Sequence, residues 1–240
     1  MLKDCFFKVY EKYRLLYKES VISDLDVPLI STGNDIGGGY GVYVLYDNVP
    51  QNVVVFSFGI GEDTHFEEYM LNSYEKSLVY AFDPTPKSVS FVKPLEKNNR
   101  FHFKSVGLSD KNEETIFLMP NNENYVSCSV IDHSGVGNTS IPVKMNTLKT
   151  LMDEYDVKHI DILKMDIEGS EFKVMPQIFA SGIFPDQICV ELHERFFRWK
   201  EKRTFRAFFD LMHANNYVLV YASKSKEEFT FVRKNYLEEK

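Results

Sequence analysis

Apolar residues in this chain gather in short, near-continuous runs separated by stretches of helical character. The runs are "NVVVFSFG" (52–59), "SLVYAFD" (77–83), "RFHFKSVGL" (100–108), "HIDILKMD" (159–166) and "QICVELH" (187–193). Strands that are hydrophobic along their whole length are covered on both faces, the habit of parallel sheets. The segments near 64–76, 85–97, 147–156 and 170–181 are long enough to serve as the helical crossovers that parallel strands require. An α/β fold follows.

The pattern changes at the ends and once in the middle. Leu2, Phe6, Val9, Tyr10, Tyr13, Leu16 and Tyr17 stand near helical spacing, which predicts an amphipathic helix over 2–18 that packs across the domain. After Pro28, "STGNDIGGGYGVYVLYDN" reads as a glycine-dense loop leading into a strand or hairpin. Residues 111–140 are polar and rich in Asn and Ser, more an excursion over the carboxyl edge of the sheet than another βα unit. Two alternating runs, 217–222 and 228–233, joined by a short charged loop, predict a terminal antiparallel hairpin.

Composition narrows the setting. The 240 residues, 44% hydrophobic and 15% aromatic, suffice for one large core. The 28 basic against 35 acidic side chains give a net charge of −7, which argues against nucleic acid or an anionic membrane as a general partner. Cys5, Cys128 and Cys189 lack metal-ligand spacing and read as free thiols of a reducing compartment. The N-terminal stretch lacks the apolar core of a signal peptide, and no run of about 18 apolar residues occurs, so the expected location is cytoplasmic.

Chemistry concentrates at the ends of the runs. "FSFGIGEDTHFEE" places Gly59 and Gly61 in a tight turn between a strand and a helix, where small residues let a cofactor approach the backbone. The third glycine of a dinucleotide site is missing, and Glu62, Asp63 and Glu67 suit a cationic or zwitterionic ligand better than a pyrophosphate. Asp83, about twenty residues on, stands where an acid accepts hydrogen bonds from ribose hydroxyls, or where it caps a helix with Pro84 at its first position. Asp166, Glu168, Glu191 and His193 end two adjacent apolar runs, and packing explains them poorly because unpaired buried charge is costly. Ser170 and Glu171 also suit the start of a helix. "GNDIGGGY" is able to wrap a ligand, with Tyr40 as lid or stacking partner.

Taken in order, "GNDIGGGY", "FSFGIGEDTHFE", "AFDPTP", "VGLSD", "IPVKMNTLKTLMDE", "KMDIEGSEF" and "VELHERF" resemble the FkbM-type family of class I S-adenosylmethionine-dependent methyltransferases, over roughly residues 30 to 235. The resemblance implies a single Rossmann-like domain over 31–240 after a helical extension over 1–30. It also implies a seven-stranded, mostly parallel sheet with an antiparallel C-terminal hairpin and helices on both faces. It implies S-adenosylmethionine as cofactor, with Gly59 and Gly61 beneath the methionine part, Asp83 and Pro84 at the ribose, Ser109 and Asp110 near the adenine, and Tyr40 and Glu62 beside them. Asp166 faces the methyl donor. The sequence departs from the family pattern where Ser57-Phe58 replaces the usual acid before the glycine turn, and "GGGYGVY" is a looser version of the family's loop.

The function expected is methylation of a hydroxyl on a sugar, glycan or other small molecule. An alkyl hydroxyl is weakly acidic, so a base or metal is required: His193 or Asp166 as base, with Glu168 and Glu191 as orienting partners, or a divalent metal on Asp166, Glu168 and His193. Arg195, Arg198, Lys200, Lys202 and Arg203 make "ERFFRWKEKR" locally basic, which suits a phosphorylated or nucleotide-linked acceptor; equally it reads as a solvated helix with Phe196, Phe197 and Trp199 partly in the core. Tyr40, Tyr125 and the 111–140 excursion are expected to shape the acceptor pocket. The rivals are an NAD-dependent oxidoreductase using the same glycine turn and Asp83, a metal-dependent hydrolase, and a non-catalytic cofactor-binding protein of the same fold.

Overall fold

The run Val53 to Phe58 leaves no face for water, and the fold places it inside a sheet whose two sides are both covered. The computed structural model describes residues 2–24, 35–38, 41–46, 49–120, 136–197 and 199–238. Helix α1 (Leu2–Asp24) precedes a hairpin of β1 (Asp35–Gly38) and β2 (Gly41–Val44). Then β3 (Val54–Phe58), α2 (His65–Ser73), β4 (Leu78–Phe82), α3 (Pro86–Phe91) and β5 (Phe101–Lys104) alternate. Strands β6 (Gly107–Leu108), β7 (Glu113–Pro120) and β8 (Val136–Asn146) form a separate sheet. Alternation resumes with α4 (Leu148–Glu154), β9 (Ile162–Met165), α5 (Glu171–Ala180), β10 (Gln187–Glu191) and α6 (Glu201–Ala214). It closes on β11 (Tyr217–Ala222), β12 (Glu228–Arg233) and the short α7 (Lys234–Glu238).

The main sheet has seven strands in the order β11-β12-β10-β9-β3-β4-β5. Only β12 runs against its neighbours. This is the α/β, mostly parallel arrangement with a terminal antiparallel hairpin that the sequence predicts. Along each strand, successive side chains face opposite sides. Phe56, Phe58, Leu163, Met165, Ile188 and Val190 join the core under α4, α5 and α6, while Val55, Val79, Ala81, Ile162 and Cys189 meet Tyr43 of β2 and Phe66, Met70 and Leu71 of α2. Each fully buried Leu, Phe or Met there contributes about 1.5–3 kcal/mol of transfer free energy.

Several expectations need correction. The run 100–108 is two strands in two sheets, because the chain leaves β4 after Lys104 and Gly107-Leu108 pair instead with Met145-Asn146 of β8. The polar 111–140 segment contains most of two long antiparallel strands, β7 against β8, and residues 121–135 lie outside the described residues. Its half-exposed faces explain the weak hydrophobic signal: Ile116 is 57% exposed. Helix α3 begins at Pro86 with Thr85 at its N-cap, so Asp83 and Pro84 are not its cap and first residue.

Helix α1 extends past 18 and packs on α6, yet not by the expected apolar stripe. Val9, Tyr13 and Leu16 are exposed, whereas Arg14, Tyr17, Lys18 and Val21 are buried. The cause is electrostatic as much as apolar. The buried Glu194 Oε1 accepts from Arg14 Nη2 at 2.9 Å and Tyr17 Oη at 3.1 Å and pairs with Lys18 Nζ at 2.8 Å. Tyr17 also meets Phe205 edge-on, with ring centroids 6.1 Å apart.

Candidate active site at the carboxyl edge

Strand register brings the acidic positions together. Phe58 of β3 pairs with Met165 of β9, and Met165 with Val190 of β10, so Gly59, Asp166 and Glu191 follow one another across the carboxyl edge. The Asp166 N–H donates to the Phe58 carbonyl at 3.0 Å. Gly59 has φ +79°, and a Cβ there would lie 1.7 Å from the Asp166 carbonyl oxygen, so the contact between the two strand ends tolerates glycine alone.

The turn after β9 is strained. Glu168 adopts φ +52° and Gly169 φ +93°. A left-handed glutamate costs of order 1–3 kcal/mol. Glu171, with no exposed surface, offsets it: its Oε1 accepts from the N–H groups of Ile167 at 3.1 Å and Gly169 at 3.2 Å. The same oxygen lies 3.0 Å from His193 Nδ1. His193, 1% exposed, turns its other nitrogen to three carboxylates: Nε2 is 3.3 Å from Glu191 Oε1, 3.5 Å from Glu168 Oε2 and 3.7 Å from Asp166 Oδ1. All four residues singled out at the strand ends therefore converge on one point.

These neighbours drive the proton affinities apart. Burial disfavours the His193 imidazolium, but Glu171, Glu191 and Glu168 outweigh it and raise the imidazole well above its ordinary value. Burial, reinforced by Glu191, raises the Asp166 carboxyl well above the usual range. Glu191 is also penalised by burial, but His193 and Arg195 pull it below its usual value.

The cofactor-type residues line the same edge. Asp83, 5% exposed, accepts at Oδ2 from the N–H groups of Ile60 at 2.9 Å and Gly61 at 3.0 Å, and at Oδ1 from the Thr85 N–H and hydroxyl. A Cβ built at Gly107 would lie 3.5 Å from Pro84 Cγ, so the loop after it runs beside Asp83 and Pro84. Ser109 is buried, and Lys173 of α5 reaches its hydroxyl at 3.3 Å and Asp110 Oδ1 at 3.4 Å. Burial raises and Lys173 more than offsets it, leaving the Asp110 carboxyl below its usual value. Glu62 is exposed at the turn, 4.0 Å from Lys87 Nζ. Tyr40, Tyr125 and Arg198 lie outside the described residues. Trp199 is 99% exposed at φ +61°, not partly in the core, because it ends a turn before α6 begins at Glu201.

Three positions take structural roles that the sequence reading does not assign them. Glu171 looks like an ordinary first-turn acid, and nothing in its spacing marks it as buried. Lys164, 7% exposed in the middle of an apolar strand, carries a signal, since lysine is almost never buried unpaired. Its Nζ donates to the Gly59 carbonyl at 2.7 Å, fastening the glycine turn to β9. Glu67, read from the sequence as an acid suited to a cationic ligand, is instead fully buried and accepts from the Ser57 hydroxyl.

A second cluster, His159, Asp161 and Asp186, stands at the amino ends of β9 and β10. No helix among the described residues is long and apolar enough to cross a membrane.

Comparison with known proteins matches residues 48–219 to the methyltransferase FkbM domain. Probable methyltransferase-like protein 24 of Homo sapiens is 25% identical over 142 residues, which take in 58% of this chain and 32% of the human protein. The chain thus spans about a third of that relative's length. Among solved structures, the methyltransferase FkbM of Methylobacillus flagellatus KT superposes with TM-score 0.49 at 10% identity, covering 77% of this chain and 44% of that one. The fibrillarin pre-rRNA processing protein of Methanococcus jannaschii gives 0.47 at 10% identity, covering 84% and 83%. The S-adenosylhomocysteine-bound methyltransferase PaMTH1 of Podospora anserina gives 0.42 at 9% identity, covering 75% and 70%.

Proposed function

The chain belongs to the FkbM methyltransferase domain family, and from that premise we propose that it is an S-adenosylmethionine-dependent methyltransferase acting on a hydroxyl of a sugar, glycan or other small molecule. The observation that carries the reading is the shared edge. The glycine turn held by Asp83 abuts Asp166 directly, and Asp166 belongs to the cluster centred on His193.

The edge suits a cation. Asp83, Asp110 and Glu62 offer carboxylates along the crevice where open α/β sheets bind ligands, complementary to a sulfonium and an ammonium group. It suits a dinucleotide less well: the Ile60 and Gly61 N–H groups, which a pyrophosphate would need, are already committed to Asp83. That argues against the oxidoreductase alternative. When bound, S-adenosylmethionine supplies an electrophilic methyl group.

The protein's own share is alignment and proton removal. Gly59 and Lys164 fix the turn against β9, so the donor side and the Asp166 side keep one spacing. The Asp166, Glu168, Glu191 and His193 cluster faces the acceptor, where a carboxylate oxygen of the cluster accepts the hydroxyl proton as the new bond forms. Glu171 holds the ring that the three acids surround. Lys200, Lys202 and Arg203 at the start of α6 favour an anionic acceptor such as a phosphorylated or nucleotide-linked sugar. A cytoplasmic setting fits the buried free thiol of Cys189.

The test is transfer of radiolabelled methyl from S-adenosylmethionine to a panel of free, phosphorylated and nucleotide-linked sugars, phenols and amines, with product position fixed by NMR. O-methylated product with the wild type and none with Asp166→Asn supports the reading. Labelling of amines alone, or equal labelling by the variant, rejects it.

A further inference from the structure

Hydrogen-bond accounting around His193 leaves one carboxylate oxygen that faces it, Asp166 Oδ1, without a donor. An ionised carboxylate only accepts, so the nitrogen facing the Glu171 oxygen, Nδ1, carries a hydrogen. Nε2 then faces three further carboxylate oxygens at 3.3, 3.5 and 3.7 Å. A single N–H at Nε2 satisfies one of these three acceptors well or all three poorly. Asp166 Oδ1 is buried, points at this nitrogen and accepts no hydrogen bond. Nearby, Lys164 spends a hydrogen of its ammonium on the Gly59 carbonyl.

We propose that Asp166, Glu191 and His193 Nε2 form a divalent-cation site, with Glu168 at its rim and Glu171 as the outer carboxylate that orients the imidazole. The three donor atoms lie within 4.8 Å of one another, so modest contraction brings them to one ion at ordinary bond lengths of about 2.0–2.3 Å. They come from two adjacent strand ends, which leaves further coordination positions for water and ligand. A ligating imidazole whose other N–H is held by a buried carboxylate is the usual second layer of such sites. One nitrogen with two carboxylates suits manganese(II), magnesium or iron(II) rather than the thiolate-seeking metals.

The sequence points to Asp166, Glu168 and His193 as ligands; the geometry substitutes Glu191 for Glu168 in the closest set. Glu168 stands just outside that closest set, 3.5 Å from His193 Nε2. The role assigned to the ion rests on the proposed methyl transfer: bound to the acceptor oxygen, it lowers the hydroxyl's proton affinity beside the glycine turn. The binding itself does not depend on that role.

The experiment is titration of chelator-stripped protein with manganese(II) chloride, followed by calorimetry and by the EPR signal of free ion, with S-adenosylhomocysteine binding measured separately on the same samples. The expected result is one site in the wild type, weakened roughly tenfold or more by Glu171→Gln and lost in Asp166→Asn and Glu191→Gln. It is retained in His159→Asn, which removes the other cation-type cluster. Pulsed EPR of the wild type should detect a coordinated histidine nitrogen, a readout that needs no variant to fold. Absence of manganese binding, binding unchanged in Asp166→Asn and Glu191→Gln, or loss in His159→Asn alone overturns the site. Because cofactor binding is read independently, a failed metal site and a failed methyltransferase assignment give different results.

Discussion

His193 Nδ1 lies 3.0 Å from Oε1 of Glu171, and that one oxygen also accepts the N–H groups of Ile167 and Gly169. A single buried carboxylate therefore ties the strained turn after β9 to the imidazole after β10. Glu171→Gln preserves shape but exchanges a charged acceptor for a neutral amide. Methyl transfer should fall by about 10–100-fold, the usual penalty for losing such an outer partner. S-adenosylhomocysteine affinity should change much less, since Glu171 does not face the glycine turn. Steady-state rates and calorimetry on the same variant separate these effects; an equal loss in both would assign Glu171 to general folding.

Two glycines with similar backbone angles should respond differently. Gly59, φ +79°, has the Asp166 carbonyl where a Cβ would go, and both partners are backbone in neighbouring strands. Gly182, φ +74°, has open space. Gly182→Ala should cost about 1–2 kcal/mol for the left-handed conformation alone. Gly59→Ala should exceed it by several kcal/mol or abolish folding, because a strand must move as well. Urea melts compare them directly, and equal stability losses would mean that the β3–β9 contact yields easily.

The buried charges under α1 make a third test. Glu194 holds Arg14 and Lys18 in a setting with almost no exposed surface. Its carboxyl is penalised by burial, but Lys18 and Arg14 pull it below its usual value. Removing Glu194 leaves the buried Lys18 without its acid and Arg14 with only Glu11 and Glu227, so Glu194→Ala should lose about 3–5 kcal/mol. Lys149→Ala breaks only the exposed pair with Asp153 and should change stability by less than about 1 kcal/mol. Denaturant midpoints that moved equally for both variants would show that the α1 cluster is not a buried network.

Legibility in the sequence followed burial. β3, β4, β9 and β10 are apolar throughout and were readable as parallel strands; β11 and β12 alternate around a charged turn and were readable as a hairpin. The β7–β8 pair was not, since its strands lie in a second sheet with polar, partly exposed faces. The acids of the site were legible because Asp166, Glu168 and Glu191 interrupt or end apolar strands. Glu171 was hidden, because the same residue type at the same helix position is ordinarily solvated. Helix α1 misled for a related reason: its apolar residues suggested one face, and Glu194, more than 170 positions away, selected another.

Calorimetric titration with S-adenosylhomocysteine, with NAD in parallel, addresses the central assignment most directly. The pair to compare is the wild type and Asp83→Ala, each checked for folding by circular dichroism. The account predicts micromolar binding to the wild type that is lost in the variant, because Asp83 shapes the glycine turn and, on the proposed function, holds the ribose. No binding of S-adenosylhomocysteine to folded wild type, NAD binding in its place, or undiminished binding by Asp83→Ala would contradict it.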